Sequence, residues 1–207
     1  MADIYLASRS SRRRELLHQI GVRFETLLLR VAPNRGIDVD ETLHASESPQ
    51  AYAERVATEK AVFGRRVLAA RSQIFRPVLA ADTVVVLDGE VLGKPENREQ
   101  AVRFLKRLSG QTHEVRTAVA LAAAPAGSRL EPMIVTSVSR VRIRPLSDLE
   151  IERYCASNEP LDKAGGYAIQ GRAAVFVEQL EGSYSGVVGL PLFETAALLE
   201  RAGIRVM

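Results

Sequence analysis

The stretch Val78–Pro95, VLAADTVVVLDGEVLGKP, admits few local structures. It opens with an apolar run rich in Val and Leu, bounded by Pro77 before it and Asp88-Gly89 after it, which reads as a buried strand. Asp-Gly is a strong signal for a two-residue hairpin, because a type I′ turn needs positive φ at both central positions. Counting back from that turn pairs Leu87 with Glu90, Val86 with Val91, Val85 with Leu92, Val84 with Gly93 and Thr83 with Lys94. Directly opposed Cβ atoms lie roughly 5 Å apart, so Lys94 falls beside the start of the strand, where Asp82 also stands. Strict alternation would put Asp82 on the other face from Thr83 and Lys94, and Pro95 ends the pairing there. An interacting acid and base and an inert strand end both remain open.

At 207 residues, 46% apolar and 26% charged, the chain can build one good core or two small lobes. No repeat, low-complexity tract or long linker divides it, so a single domain over residues 1–207 is expected. The start, MADIYLASRSSRRRELL, holds no apolar run long enough for a signal peptide or membrane span. Cys155 is the only cysteine, and the histidines are His18, His44 and His113. A disulfide within the chain is impossible and a Cys/His zinc cluster is disfavoured; a cytoplasmic location is expected. A net charge of +3 with 5% aromatics gives little support to nucleic-acid binding, which favours a longer basic face with stacking side chains.

Along the chain, Ile4–Ala7 reads as a short strand and Ser8–Ser11 as a loop into a helix carrying Leu16, Leu17 and Ile20, closed by Gly21. Arg12, Arg13 and Arg14 fall in the first turn of that helix, where the dipole disfavours cations. Backbone N–H groups, serine hydroxyls and arginines at one helix start suit a phosphate, although a solvated basic turn has the same sequence. Phe24–Leu29 reads as a strand, and Val31–Ser48 as an irregular acidic stretch with Asp38, Asp40 and Glu41. Ser48-Pro49 opens the next helix, whose stripe Tyr52, Val56, Lys60, Phe63 faces the core. A lysine there must snorkel to water or meet an anion.

Beyond the hairpin, Asn97 and Gln100 open a helix through Leu108, and His113–Ala123 and Met133–Arg144 read as an antiparallel pair. Ser147 and Glu150 form a capping box. Leu161–Gly171 is too glycine-rich for a helix and too polar for a core strand, and reads as a ligand-contacting loop; within it Asp162 and Lys163 bring charge, and Gln170 could read the edge of a base. Ala174–Leu180 reads as a strand, Gly182–Pro191 as a loop, and Leu192–Arg201 as a helix capped by Gly203. If the basic turn, Lys60 and Lys94 converge with Glu41, Asp82 and Asp162, the cations could hold a polyphosphate while the carboxylates bind Mg²⁺ or Mn²⁺ and activate water. No G-x-x-x-x-G-K-[ST] loop is present, which argues against a P-loop NTPase.

LASRSSRRRELL, Asp40-Glu41, ATEKA around Lys60, ADTVV with LGKP, LSGQTHEVRT, LDKAGGYAIQG and GSYSGVVGLP, in this order over almost the whole chain, closely resemble the Maf proteins, a group of nucleotide pyrophosphatases. The resemblance implies an α/β fold shared with inosine triphosphate pyrophosphatase, an elongated mixed β-sheet with helical lobes around a cleft. It also implies hydrolysis of a nucleoside triphosphate to the monophosphate and pyrophosphate, dependent on a divalent cation, by a cytoplasmic homodimer without nucleic-acid or membrane partners. Position by position, Asp82 matches the proton acceptor, Ser8, Arg12 and Arg13 the phosphate-binding turn, and Glu41, Lys60 and Lys94 the other polar cleft residues. Arg12, Thr83 and Gln170 match positions associated with substrate choice. ADT, HEVRT, DKAGGYAIQG and GSYSGVVGLP are similar to the subgroup acting on dTTP and UTP; the subgroup acting on 7-methyl-GTP tends to differ after the Asp and at Gln170. A non-enzymatic role in septum formation is the alternative of another class. Ser11 stands where the family usually has proline, and Ala32–Gly36 is longer than in some relatives.

Overall fold

The computed structural model describes residues 2–29, 39–157 and 159–206. Asp38 and the segment 32–36 therefore lie outside the described residues, and the acidic stretch is described from Val39 onward. The elements run β1 (Ile4–Leu6), α1 (Ser11–Gln19), β2 (Phe24–Thr26), α2 (Pro49–Ala70), β3 (Val78–Leu87), β4 (Glu90–Leu92), α3 (Arg98–Leu108), β5 (Thr112–Ala122), β6 (Met133–Ile143), α4 (Asp148–Cys155), β7 (Val177–Glu181), α5 (Tyr184–Val188) and α6 (Leu192–Arg201). The strands form a seven-stranded sheet in the order β2-β1-β3-β5-β6-β7, with β4 on β3. β1 is parallel to β2 and β3, whereas β4 and β7 are antiparallel to β3 and β6, which makes the sheet mixed. No helix among the described residues is long and apolar enough to cross a membrane.

The chain forms two compact units. The first comprises residues 1–82, 117–137 and 189–207, the second residues 83–116 and 138–188, so β3, β5 and β6 each contribute to both. In the first unit, α2 starts as its sequence dictates: Ser48 Oγ accepts from Ala51 N, and Pro49 occupies the first turn. Its buried face is made of small residues, Ala53, Ala57, Ala61 and Gly64, beside Val56 and Leu68. At Gly64 the helix comes so close that a Cβ would lie 2.8 Å from Val78 Cγ1 and 3.2 Å from Leu27 Cδ2.

The core of the second unit gathers Val85, Leu87 and Leu92 of the hairpin, Ala101, Leu105 and Leu108 of α3, Ile151 and Tyr154 of α4, and Tyr167 and Phe176. The expected caps of its helices are present. Asn97 accepts from Gln100 N, and Ser147 and Glu150 make the reciprocal capping box.

The hairpin register matches the count from the turn at Leu87–Glu90, Val86–Val91 and Val85–Leu92. Asp88 and Gly89 take φ of 52° and 81°, as a type I′ turn demands. The ladder ends there. Gly93 O accepts from Gly165 N at 3.0 Å, so β4 stops at Leu92, and the expected pairs of Val84 with Gly93 and Thr83 with Lys94 do not form. Three other expectations are corrected. β2 ends at Thr26 rather than Leu29, Arg172–Phe176 is a 3₁₀ turn that delays β7 to Val177, and the glycine-bearing loop after it contains α5.

Gly64→Ala pits two effects of opposite sign. Alanine gains up to about 1 kcal/mol of helix propensity, whereas overpacking against Val78 and Leu27 costs about 1–3 kcal/mol. Because Val78 lies in the sheet and Leu27 is buried, neither neighbour yields freely. The expected result is a net loss of roughly 1–2 kcal/mol, read as a lower urea midpoint at unchanged m-value.

Candidate active site

In the first unit the start of α1 is built from serines. Ser10 Oγ accepts from Arg13 N at 3.4 Å, and Ser8 Oγ accepts from Ser10 N at 3.2 Å and from Arg13 Nη1 at 3.4 Å. Arg13 Nε donates to Gly189 O at 2.7 Å, which ties the basic turn to the segment before α6. Burial lowers the Arg13 guanidinium below its ordinary pKa, Asp82 and Glu41 oppose that shift, and Arg12 adds to it; an arginine so placed remains a cation. No acidic side chain lies in the first turn of α1, so its helix dipole and guanidinium groups favour an anion.

Lys60 did not snorkel. Its Nζ lies 2.9 Å from Asp82 Oδ1 and 3.1 Å from Glu41 Oε1, joining α2 to β3 and to the acidic stretch. The side chains of Lys60 and Asp82 are 15% and 13% exposed, that of Glu41 52%. The Asp82 arm is thus a largely desolvated pair, costly to break from one side, whereas the Glu41 arm is screened by water. Ser8, Arg12, Arg13, Glu41, Lys60 and Asp82 are therefore one electrostatic cluster, linked through Arg13 and Lys60.

The second unit holds the remaining expected residues. Thr83 is half-buried in β3, and Lys94 is exposed just after β4. Lys94 sits beside the glycine-rich loop: Gly165 bonds to Gly93 O, and a Cβ on Gly166 would lie 3.6 Å from Pro95. In that loop Lys163 Nζ pairs with the exposed Asp162 carboxylate and donates to Glu159 O at 3.2 Å. Gln170 is exposed.

Sequence reasoning missed Glu159, which holds both ends of this loop. Its carboxylate accepts from Tyr154 Oη at 3.0 Å and Arg172 N at 3.2 Å. It lies against Gly171, where a Cβ would come within 2.3 Å of Oε1, so the glycine next to Gln170 is what admits the carboxylate. A second tie is His113 Nε2 to Tyr167 Oη at 2.7 Å, both residues being buried. A His in an otherwise apolar alternating strand and a Glu beside a glycine-rich loop were the available signals.

Cys155 is buried and its thiol is pushed up to about 11, chiefly by desolvation, so it is no nucleophile at neutral pH. Among the described residues no group of three or more His, Cys, Asp or Glu side chains forms a metal cluster. Glu41 and Asp82, converging on one ammonium, fit instead a hard cation that takes the rest of its ligands from phosphate and water.

Fold and cluster together define a mixed α/β protein with a basic, serine-capped helix start and a carboxylate–lysine–carboxylate group. A family model described as Maf-like protein matches residues 3–202; the chain belongs to the Maf family. It is 57% identical over 203 residues to a dTTP/UTP pyrophosphatase of Nitrosospira multiformis and 54% identical over 203 residues to one of Aromatoleum aromaticum, in each case covering 98% of this chain and 96% of the relative. Among solved structures, a HAM1 protein from Coxiella burnetii aligns over 97% of this chain and 100% of its own at a TM-score of 0.52 and 18% identity, a likeness of fold.

The His113–Tyr167 tie has a pH signature. Desolvation pulls the imidazole down to about 4 from 6.5. Unfolded chains then bind this proton where the folded protein does not, so the folded state loses stability as pH falls from 6.5 towards 4. A shift of that size corresponds to about 3 kcal/mol. His113→Gln, which keeps a hydrogen-bonding group for Tyr167, is expected to flatten the stability curve between pH 6.5 and 4 in urea titrations.

Proposed function

We propose that this chain hydrolyses dTTP and UTP to the monophosphate and pyrophosphate. The observation that carries the reading is Lys60 fixed between Asp82 and Glu41. The identity of 54–57% to proteins named dTTP/UTP pyrophosphatase supports the choice of substrate. Asp82 takes a proton from the attacking water, whose oxygen bonds to the α-phosphorus as the bond to the bridging oxygen breaks and pyrophosphate leaves. Lys60 holds the Asp82 carboxylate in one orientation, and its ammonium stands beside the carboxylate that activates the water. Arg12, Arg13 and the N–H groups at the start of α1 bind the triphosphate, where charge-assisted bonds count most.

Glu41 and Asp82 are the residues that would hold a Mg²⁺ or Mn²⁺ ion, which supplies charge neutralisation of the phosphates and polarisation of the phosphoryl oxygen. In this reading Lys94, Asp162 and Lys163 complete the polar contacts to the nucleotide. Thr83 and Gln170 select the base, Gln170 offering a paired donor and acceptor to a pyrimidine edge. We extend the reading to a cytoplasmic homodimer.

Asp82→Asn keeps size and hydrogen-bonding capacity but removes the base, and is expected to lower kcat by about 10² or more. The assay offers dTTP, UTP, CTP, GTP and 7-methyl-GTP in parallel with Mg²⁺ or Mn²⁺ and resolves pyrophosphate from orthophosphate. Pyrophosphate from dTTP and UTP, lost in the variant, is the expected outcome. Preference for 7-methyl-GTP would overturn the base assignment, and no turnover of any nucleotide would overturn the enzymatic reading.

A further inference from the structure

Glu41 belongs to a segment without regular secondary structure from residue 40 to residue 44, and its side chain is half-exposed. An exposed carboxylate in such a segment has little reason to stay on a lysine. Ordering a Glu side chain costs more in rotamer freedom than a solvent-exposed pair returns.

The backbone around Glu41 is held instead. Arg55, on the same helix as Lys60, donates through Nη1 to Asp40 O at 2.7 Å and through Nη2 to Thr42 O at 2.8 Å. Between them, Glu41 O accepts from Tyr52 Oη at 2.8 Å. Each carbonyl from residue 40 to residue 42 is thus bonded to a side chain of α2. The Arg55 fork is itself fixed by Glu47, with Nε on Oε1 at 2.7 Å and Nη2 on Oε2 at 2.9 Å, and lies over the Tyr52 ring at 5.6 Å. Asp40 Oδ1 accepts from Thr42 N at 2.9 Å, closing a turn around Glu41. With the carbonyls before, at and after it fixed, Glu41 has its Cα–Cβ direction set, and α2 carries both the clamp and the lysine it serves.

We propose that Arg55 is a positioning residue for the Glu41 carboxylate, an inference that rests on the proposed pyrophosphatase reading. A planar guanidinium spans two carbonyls and a carboxylate at once, which a lysine ammonium cannot do. Within the helix Arg55 makes only a longer i,i+4 contact, Nη1 to Glu59 Oε1 at 3.4 Å, while Ser48 and Pro49 start the helix and its buried face lies elsewhere.

The test is a double-mutant cycle of Arg55→Lys and Glu41→Gln, reading kcat and KM for dTTP together with Tm. Arg55→Lys is expected to lower kcat/KM about tenfold in the parent and less than about twofold in the Glu41→Gln background, since coupled residues are non-additive. Tyr52→Phe, a milder change that removes one of the carbonyl bonds, is expected to show the same coupling at smaller size and serves if Arg55→Lys fails to fold. Equal losses in both backgrounds, or parent activity in Arg55→Lys, would overturn the inference while leaving the pyrophosphatase reading in place. Parent activity in Glu41→Gln would remove Glu41 from the chemistry and overturn this inference, and only absence of turnover in the parent itself would count against the reading on which it rests.

Discussion

A lysine bordering the buried face of a long helix needs anions or water within reach, and here it has two carboxylates from different parts of the chain. The Lys60–Asp82 bond, largely withdrawn from water, fixes α2 against β3 at one defined point, because an ammonium displaced along the strand would leave a charge buried and unpaired. Packing sets the same relation independently. Small residues along the buried face of α2 let the helix approach until Gly64 meets Val78 at the start of β3. Core contact and ion pair therefore specify one placement of the helix, and that placement puts Glu41 within reach of Lys60.

Each unit organises its polar residues by a different device. In the first, side chains of α2 grip loop backbone and α1 receives its own serines as caps, so the cations and carboxylates are carried by regular elements or by segments bonded to them. In the second, Asp162, Lys163 and Gln170 lie on a loop whose ends are held by a single carboxylate, Glu159, and whose middle is anchored by a buried His–Tyr pair. Gly165 takes φ of 68°, and a Cβ there would lie 2.9 Å from Val85. The loop thus turns against the hairpin core at a position that no other residue would occupy without strain.

What the sequence made legible was local or periodic. The Asp88-Gly89 turn sets its register by its own dihedral demand, and Ser48-Pro49, Asn97 and the Ser147–Glu150 box announce helix starts through contacts three residues long. The helical period put Lys60 on a core-facing stripe with Tyr52, Val56 and Phe63, of which only Val56 is buried, and so raised the need for an anion at a residue that borders the buried face. It could not show which anion, because Asp82 lies on a strand far along the chain. The late start of β7 was hidden for a similar reason. Ala173–Phe176 has the composition of a strand, but Glu159 takes the N–H of Arg172 and a 3₁₀ turn results. In the glycine-bearing loop after it, Ser183 Oγ accepts from Gly186 N at 3.0 Å and starts α5, a cap whose effect the surrounding glycines concealed. Arg55's grip on the acidic stretch left no trace because those bonds go to backbone carbonyls, which every residue type possesses.

The resemblance added what neither period nor turn chemistry could, the expectation that separate motifs serve one reaction, and the structure shows how far each unit carries that expectation alone. Asp82, Lys60, Glu41 and the arginines of α1 belong to the first unit, where Lys60 contacts both carboxylates and Arg13 feels the charge of each. Of the positions associated by resemblance with substrate choice, Thr83 and Gln170 belong to the second and Arg12 to the first. Adjacent residues of one strand, Asp82 and Thr83, therefore fall to different units. β3 thus carries, at Asp82, the base of the proposed reaction and, at the next position, a residue associated by resemblance with substrate choice.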